Sequence, residues 1–296
     1  MDINFEYYKI FYYVAKYSNF TRAANALGNS QPNITRAMNG LEQQLHCTLF
    51  VRTNRGVQLT PEGEKLYTHV SAAMSHLWAA EEELADSSGL AHGGISIGAS
   101  ETALNIFLLD KLKDFHMKYP GIRLKIYNHS TPQAIDAVKS GQIDFAVVSA
   151  PAEVEQPLKK VNLRTFREVL VGGTTFTALG SQELSLKDLK DYPLICLGKE
   201  TMTFQFYNKL FLSYGLALEP DTETATTDQI LPLVKSELGL AFIPEPMARE
   251  AIEKHEIVQI SLSETIPKRN ICMVYDSQHP LNEAARQLRK VILESR

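Results

Sequence analysis

Apolar residues near the start of the chain recur every three or four positions. In "FEYYKIFYYVAKYSNF", Tyr8, Phe11, Val14 and Ala15 share one helical face and predict an aromatic stripe over a small core. "TRAANAL" reads as a second helix with Thr21 as N-cap; Ala23, Ala24 and Ala26 allow close approach, and Leu27 anchors its end. Gly28 suits the left-handed residue that stops a helix. A third helix opens at Ser30 or Gln31 with Pro32 in its first turn, where the missing N–H costs nothing, and Ile34, Met38, Leu41 and Leu45 form its buried stripe. "LFVRTNRGVQLT" predicts two short strands turning at Asn54-Arg55-Gly56. A long helix follows from the Thr60 cap and Pro61 to about Asp86, with Leu66, Val70, Ala73, Leu77, Ala80 and Leu84 spaced as a seam for a partner helix.

The pattern changes after "DSSGLAHGG", residues 86–94, a hinge by composition. "ISIGA", "RLKIYNHS" and "IDFAVVSA" read as strands separated by the helices "ALNIFLLDKLKDFHMKY" and "PQAIDAVKSG", an alternation that predicts a parallel α/β sheet. A second set starts after Pro151 with "REVLVGG", "PLICLG", the helix "FQFYNKLFLSYG", "DTETAT", "DQILPLVKSELG" and "LAFIP", and the helix "NEAARQLRKVILES" closes the chain. The expected organisation is a helical domain over 1–60, a linker helix and hinge over 61–94, and a two-lobed α/β domain over 95–296 with a cleft where strand ends meet helix starts.

Charge sharpens this picture. The chain has a net charge of -4, yet residues 1–60 carry six Lys and Arg (Lys9, Lys16, Arg22, Arg36, Arg52, Arg55) against three acids (Asp2, Glu6, Glu42). A basic excess confined to one end suits a phosphate-facing module. Cys47, Cys196 and Cys272 are far apart and form no CxxC, so neither a disulfide framework nor a zinc cluster is expected. With no secretory leader pattern in "MDINFEYYK" and no membrane-length apolar run, a cytoplasmic protein without a membrane partner is expected.

The exposed side of the third helix carries the first candidate chemistry. Ser30, Gln31, Pro32, Asn33, Thr35, Arg36 and Asn39 stand opposite its apolar stripe, and Asn, Gln and Arg are the side chains that pair with base edges in a major groove. Two helices joined by a few residues make a helix-turn-helix whose second helix enters the groove by its N-terminal end, with Thr21 on the supporting helix. Arg52 and Arg55 on the hairpin would reach a backbone phosphate or the minor groove. The plainer alternative is a structural bundle with a solvated face. In the second half, Ser100 and Thr102, Ser130 and Thr131, Thr201 and Thr203, and Thr226 stand at helix starts that converge on the cleft, where hydroxyls and free N–H groups hold a small polar or anionic metabolite. Each alone reads as an ordinary N-cap. Glu101 and Glu200 nearby argue against assuming a carboxylate ligand.

Enzyme motifs are weak. "GISIG" matches GxSxG, but Ser96 alternates with Ile95 and Ile97 inside a strand instead of standing on a sharp turn. No phosphate-binding glycine loop, HExxH or DxDxDG occurs, and neither a catalytic residue nor a cofactor or metal is expected. The rival from another class is a solute-binding protein, which the second half alone would fit.

One segment carries a specific resemblance. Phe20-Thr21-x-Ala23-Ala24-x-x-Leu27, Gln31-Pro32, Leu41-Glu42-x-x-Leu45, Leu49-Phe50-x-Arg52 and Leu59-Thr60-Pro61-x-Gly63, in that order, resemble the winged helix-turn-helix of the LysR-type transcriptional regulators. Asn19 stands where that family usually has Ser, Thr35 where Ser is frequent, and His46 where a helix-ending Gly is usual. The second half is similar to the family's two-lobed, periplasmic-binding-protein-like effector domain, in which positions matching Ser100, Ser130 and Thr203 line the inducer pocket; "SELGLAFIPEPMA" resembles its Gly-x-Ala-x-x-Pro segment. The resemblance implies a regulator of a double-stranded DNA operator that dimerises through its linker helix and assembles as a tetramer.

Overall fold

The computed structural model describes residues 3–53, 56–85, 93–149, 154–278 and 281–294. The chain divides into two compact units, the first over residues 1–87 and the second over residues 88–139 and 143–296. Hinge residues 86–92 lie outside the described residues.

In the first unit, α1 (Phe5–Tyr17) is capped by Asn4, whose Oδ1 accepts from the Glu6 amide at 2.9 Å, and ends at Ser18 in the left-handed conformation, φ 48°. Ile10, Phe11, Tyr12 and Val14 are its buried residues, while Tyr8 and Ala15 are only partly covered. The buried face is therefore turned from the expected stripe, toward the ring contacts of Phe11 and Tyr12. α2 (Phe20–Ala26) starts two residues earlier than expected. Its N-cap is Asn19, accepting from the Arg22 amide at 2.9 Å, and Thr21 stands exposed in the first turn. Asn is at least as good an acceptor there as Thr, and a helix beginning at Phe20 brings that ring to 5.9 Å from Phe50. Ala23 and Ala24 are buried, Ala26 is exposed, and Gly28 takes φ 60°. α3 (Gln31–Leu45) buries Ile34, Ala37, Met38 and Leu41, with Leu45 half-buried, and His46 ends it at φ 54°.

Short tethers lock the hairpin beside α3. Glu42 Oε1 accepts from the amides of Leu49 at 2.7 Å and Phe50 at 3.2 Å. This places β1 (Phe50–Thr53), which pairs antiparallel with β2 (Gly56–Leu59) in the register Phe50↔Leu59. Gly56 has φ 133°, and a Cβ there would lie 2.7 Å from the Ser18 carbonyl oxygen, which accepts from the Val57 amide at 3.1 Å. Thr60 Oγ1 accepts from the Gly63 amide at 3.0 Å and donates to the Thr48 carbonyl at 2.7 Å, opening α4 (Pro61–Ala85).

The expected seam on α4 splits in two. Leu66, Val70, Met74 and Trp78 pack on the core of the first unit, with Tyr67 stacked 5.9 Å from Tyr12 and Trp78 edge-on to Tyr12 at 5.2 Å. Ala73, Leu77 and Ala80 stay exposed, and the Leu84 side chain lies outside the described residues. A stripe at spacing four and three drifts round a straight helix of 3.6 residues per turn, so one end meets its own chain and the other does not.

The second unit has two lobes with mixed sheets. In order come β3 (Gly93–Ala99), α5 (Glu101–Ala103), a π-helical turn (Leu104–Leu108), α6 (Leu109–Lys118), β4 (Ile122–Asn128), α7 (Thr131–Lys139), β5 (Phe145–Ser149) and β6 (Leu158–Phe166). The chain then crosses to β7 (Glu168–Gly172), β8 (Glu183–Leu184), β9 (Leu194–Leu197), α8 (Met202–Ser213), β10 (Thr222–Thr224), α9 (Ile230–Lys235), β11 (Leu240–Pro244), α10 (Glu245–Glu253) and β12 (Val258–Leu262). It returns through β13 (Arg269–Asp276) and α11 (Glu283–Glu294). The first lobe's order is β4-β3-β5-β13-β6 and the second's is β10-β9-β11-β7-β12-β8. β3 runs parallel to β4 and β5, but β13 is antiparallel to β5 and β6, and β7 to β11 and β12. The wholly parallel expectation fails because the two crossing segments bring strands back in the opposite direction. Each sheet packs helices on both faces. In the first lobe Ile97, Val147 and Met273 face Phe107, Phe115 and Leu288, while Val148 and Val274 face Ala134 and Val138 of α7.

The closeness of Gly63 to the Leu49 carbonyl, which a Cβ would overlap, generates a stability prediction. Gly63→Ala should destabilise the first unit by about 2 kcal/mol, the usual range for forcing a methyl into packed structure. Trp78 is the single tryptophan and reports on that unit alone. Urea titration of its fluorescence should show the loss, and an unchanged midpoint contradicts the tether.

Candidate nucleic-acid interface and inter-lobe cleft

The exposed side of α3 is polar and free of outward-facing acid. Gln31, Pro32, Asn33, Arg36 and Asn39 are exposed and Thr35 is half-buried. Glu42, the one acid of α3, is engaged with the Leu49 and Phe50 amides. Ser30 stands at the N-cap position without a side-chain capping bond; Asn29 organises the start instead, its Oδ1 accepting from the Ser30 amide at 2.8 Å and Asn33 Nδ2 at 3.0 Å. Gln31 Nε2 donates to Thr35 Oγ1 at 3.1 Å, which in turn donates to the Gln31 carbonyl at 3.1 Å. Gln43 continues the exposed line from Pro32 through Arg36 and Asn39 and was not singled out from sequence, although four residues after Asn39 is one helical turn. Arg55 and the side chain of Arg52 lie outside the described residues.

The second site is a polar relay between the lobes. Ser100, after β3, accepts at Oγ from the Ser149 amide at 3.2 Å and the Ala103 amide at 3.4 Å. Thr131 Oγ1 donates to the Ser149 carbonyl at 3.2 Å. Arg269 Nη2 donates to Ser149 Oγ at 3.3 Å and to Thr203 Oγ1, on α8 of the other lobe, at 3.0 Å. Arg269 Nη1 donates to Glu168 Oε1 at 2.6 Å in an ion pair whose side chains are 2% and 0% exposed. The guanidinium stands 5.5 Å from the Phe166 ring and 5.1 Å from that of Phe206. Burial, with the Glu168 charge beside it, pushes the Tyr207 hydroxyl well above its ordinary range. On either side the lobes touch: the Glu101–Ala103 turn lies against Thr227–Gln229, and Met247 of α10 packs into the first lobe's core.

Ser100, Thr131 and Thr203 are thus joined in one hydrogen-bonded chain. Other expected residues are used locally. Ser130 donates to Gln133 Oε1 at 2.9 Å, and Thr201 caps α8 by accepting from the Phe204 amide at 3.1 Å. Thr102 is buried, and Thr226 is half-buried with no side-chain capping bond. Ser149, Glu168, Arg269 and Tyr207 were missed. The available signal was a charge opening a strand with an apolar centre in "EVLVG" and "RNICMVYD"; their pairing across 101 positions is a property of the fold.

Two family models match the chain. "LysR substrate binding domain" covers residues 88–296, and "Bacterial regulatory helix-turn-helix protein, lysR family" covers residues 5–64. The chain belongs to the LysR family. Among similar curated proteins are the HTH-type transcriptional regulator YofA of Bacillus velezensis, 28% identical with 95% of this chain and 94% of the relative covered. A probable RuBisCO transcriptional regulator of Gracilaria tenuistipitata is 24% identical, with 95% and 92% covered. Among solved structures, full-length CbnR complexed with its target DNA matches at TM-score 0.74 and 18% identity, covering 99% of this chain and 100% of that one. A variant of full-length OxyR from Pseudomonas aeruginosa matches at TM-score 0.70 and 18% identity, with 100% and 95% covered.

This LysR-type chain is therefore a DNA-binding transcriptional regulator with an effector-binding type of second domain, and no helix among the described residues is long and apolar enough to cross a membrane. Its buried cysteines are not poised for redox chemistry. Burial, with the Glu223 charge adding, pushes the Cys196 thiol up to about 12, and burial pushes Cys272 up to about 11. They belong to different sheets. With a neutral alkylating reagent at pH 8, the half-buried Cys47 should react first and the other two only on unfolding. Modification of Cys196 in the folded protein at the rate of Cys47 contradicts this.

Proposed function

We propose that this regulator binds a double-stranded operator with the exposed side of α3 and its wing, and that a small polar molecule in the inter-lobe cleft modulates that binding. The observation that carries the reading is the outward face of α3: solvent-exposed amide and guanidinium side chains at the N-terminal end of the second helix of a helix-turn-helix, with the helix's one carboxylate turned to other work. Arg36 suits guanine or a phosphate, Asn39 and Gln31 suit adenine, and Thr35 suits a thymine methyl or phosphate. Arg52 and Arg55 of the wing serve phosphates or the minor groove.

The exposed Ala73, Leu77 and Ala80 of α4 support a dimer through this helix, and family membership supports a tetramer made from two such dimers. A dimer places two reading heads on half-sites about 34 Å apart. Operator and effector affinities are then linked, each changing the other by the same factor.

Two sets of variants test the halves separately. Arg36→Ala and Gln31→Ala should each relax base choice by about 1–3 kcal/mol, with Trp78 fluorescence unchanged; normal footprints from both remove α3 from the interface. Ser100→Ala loses the bond to the Ser149 amide. It should retain basal operator binding while needing about fivefold more of any metabolite found to shift the wild type, a factor equal to one ordinary hydrogen bond. An unchanged dose-response removes Ser100 from the effector site.

A further inference from the structure

Both crossings between the lobes run through the floor of the cleft. Arg269 opens β13 opposite Phe166, the last residue of β6, and Glu168 opens β7 two residues further on. From that floor one guanidinium reaches Ser149 in the first lobe and Thr203 in the second, while its Nη1 is held by Glu168. The pair is incomplete. Arg269 Nε is buried without a hydrogen-bond partner, and Glu168 Oε2 has no well-aligned donor although the Tyr207 hydroxyl stands beside the carboxylate. A planar guanidinium bonded to both lobes, with a carboxylate on one edge and an orphan donor on another, is the environment that a bound carboxylate would otherwise create.

We propose that Glu168 is a built-in anion: it occupies the carboxylate position on Arg269, joins the lobes through that guanidinium without a bound effector, and leaves a cleft selective for uncharged polar effectors. The inference rests on the reading that the cleft is the effector site. The buried charge is already balanced, so an entering carboxylate finds no unmatched cation. It meets the Glu168 charge, and no cation is left to offset its desolvation. What the floor lacks is one acceptor for Nε–H and one donor for Oε2, along with groups to share the Ser100, Ser149 and Thr203 hydroxyls. A hydroxyl or primary amide supplies these, since each combines donor and acceptor.

The test uses the full chain without DNA or effector. Glu168→Ala uncovers Arg269 and opens a carboxylate-sized space, so its melting temperature should fall by several degrees and recover in sodium formate but not in sodium chloride of equal ionic strength. Wild type should respond equally to the two salts. A double variant, Glu168→Leu with Arg269→Met, has no buried charge and should fold and ignore formate. If Glu168→Ala is insoluble, Glu168→Ser serves, since its short side chain also leaves the space open and the cation unmatched; it should also gain a formate-specific shift. Absence of a formate-specific shift in the soluble variant overturns the proposal, as does wild-type stabilisation by formate beyond that by chloride. In a wild-type thermal-shift screen of neutral polyols and amides against monocarboxylates, hits among the neutral compounds support it and hits confined to carboxylates overturn it. Failure of the formate arm leaves effector control of operator binding standing. A successful formate arm with operator affinity indifferent to every thermal-shift hit instead removes the regulatory reading while keeping the built-in anion.

Discussion

A charge taken out of water must be answered on every side, and the second unit is arranged around one such charge. Arg269 is nearly inaccessible, paired with Glu168, bonded to hydroxyls from both lobes and set between two aromatic rings. Removing one member of a buried pair costs about 3–5 kcal/mol, whereas replacing both by apolar groups of similar volume is often neutral or better. The cluster is therefore poorly explained as a source of stability. Its value lies in direction: Ser149 and Thr203 belong to different lobes, and a planar donor set meets both only at one relative placement. An element that holds two lobes by a few polar contacts is one that a small polar molecule can compete with or complete.

The first unit solves a different problem with short connections. A reading helix is useful only if its orientation is held while its outer face is left free. Glu42 turns inward to two amides of the hairpin, Thr60 ties the start of α4 to the Thr48 carbonyl, and Gly56 and Gly63 allow backbone approaches that a side chain would block. These tethers use backbone groups and inward-facing side chains. The amides and guanidinium on the other side of α3 remain available for a partner.

What could be read in the sequence follows the range of each interaction. The α3 stripe, the hairpin strands, the extent of α4 and the order of the strands and helices read in the second half are written in local periodicity and are retained, whereas β8, α10, β12 and β13 were not read. Thr21 gave way to Asn19 because neighbouring residues competed for one cap and the packing of Phe20 decided it. β6 was overlooked because "LKKVNLRTF" buries only Leu158, Leu163 and Phe166 among charged and polar neighbours, a weak alternation. In the cleft, Ser100, Thr131 and Thr203 were legible as hydroxyls at helix starts. Ser130 and Thr201 looked identical by that criterion and proved to be committed to their own helices. Arg269 and Glu168 meet only because the chain crosses twice between lobes, which no local window contains.

In the proposed mechanism one polar helix face reads duplex DNA while a polar cluster between two lobes is linked to that reading. Hydrogen–deuterium exchange of the full chain, with and without a duplex selected from a random pool, tests both parts at once. Protection is predicted in peptides spanning residues 29–43 and 50–59, with an altered exchange rate in peptides containing Ser149, Glu168 and Arg269, because linkage is reciprocal. Unchanged exchange across residues 29–43 in the DNA-bound protein would contradict that mechanism outright.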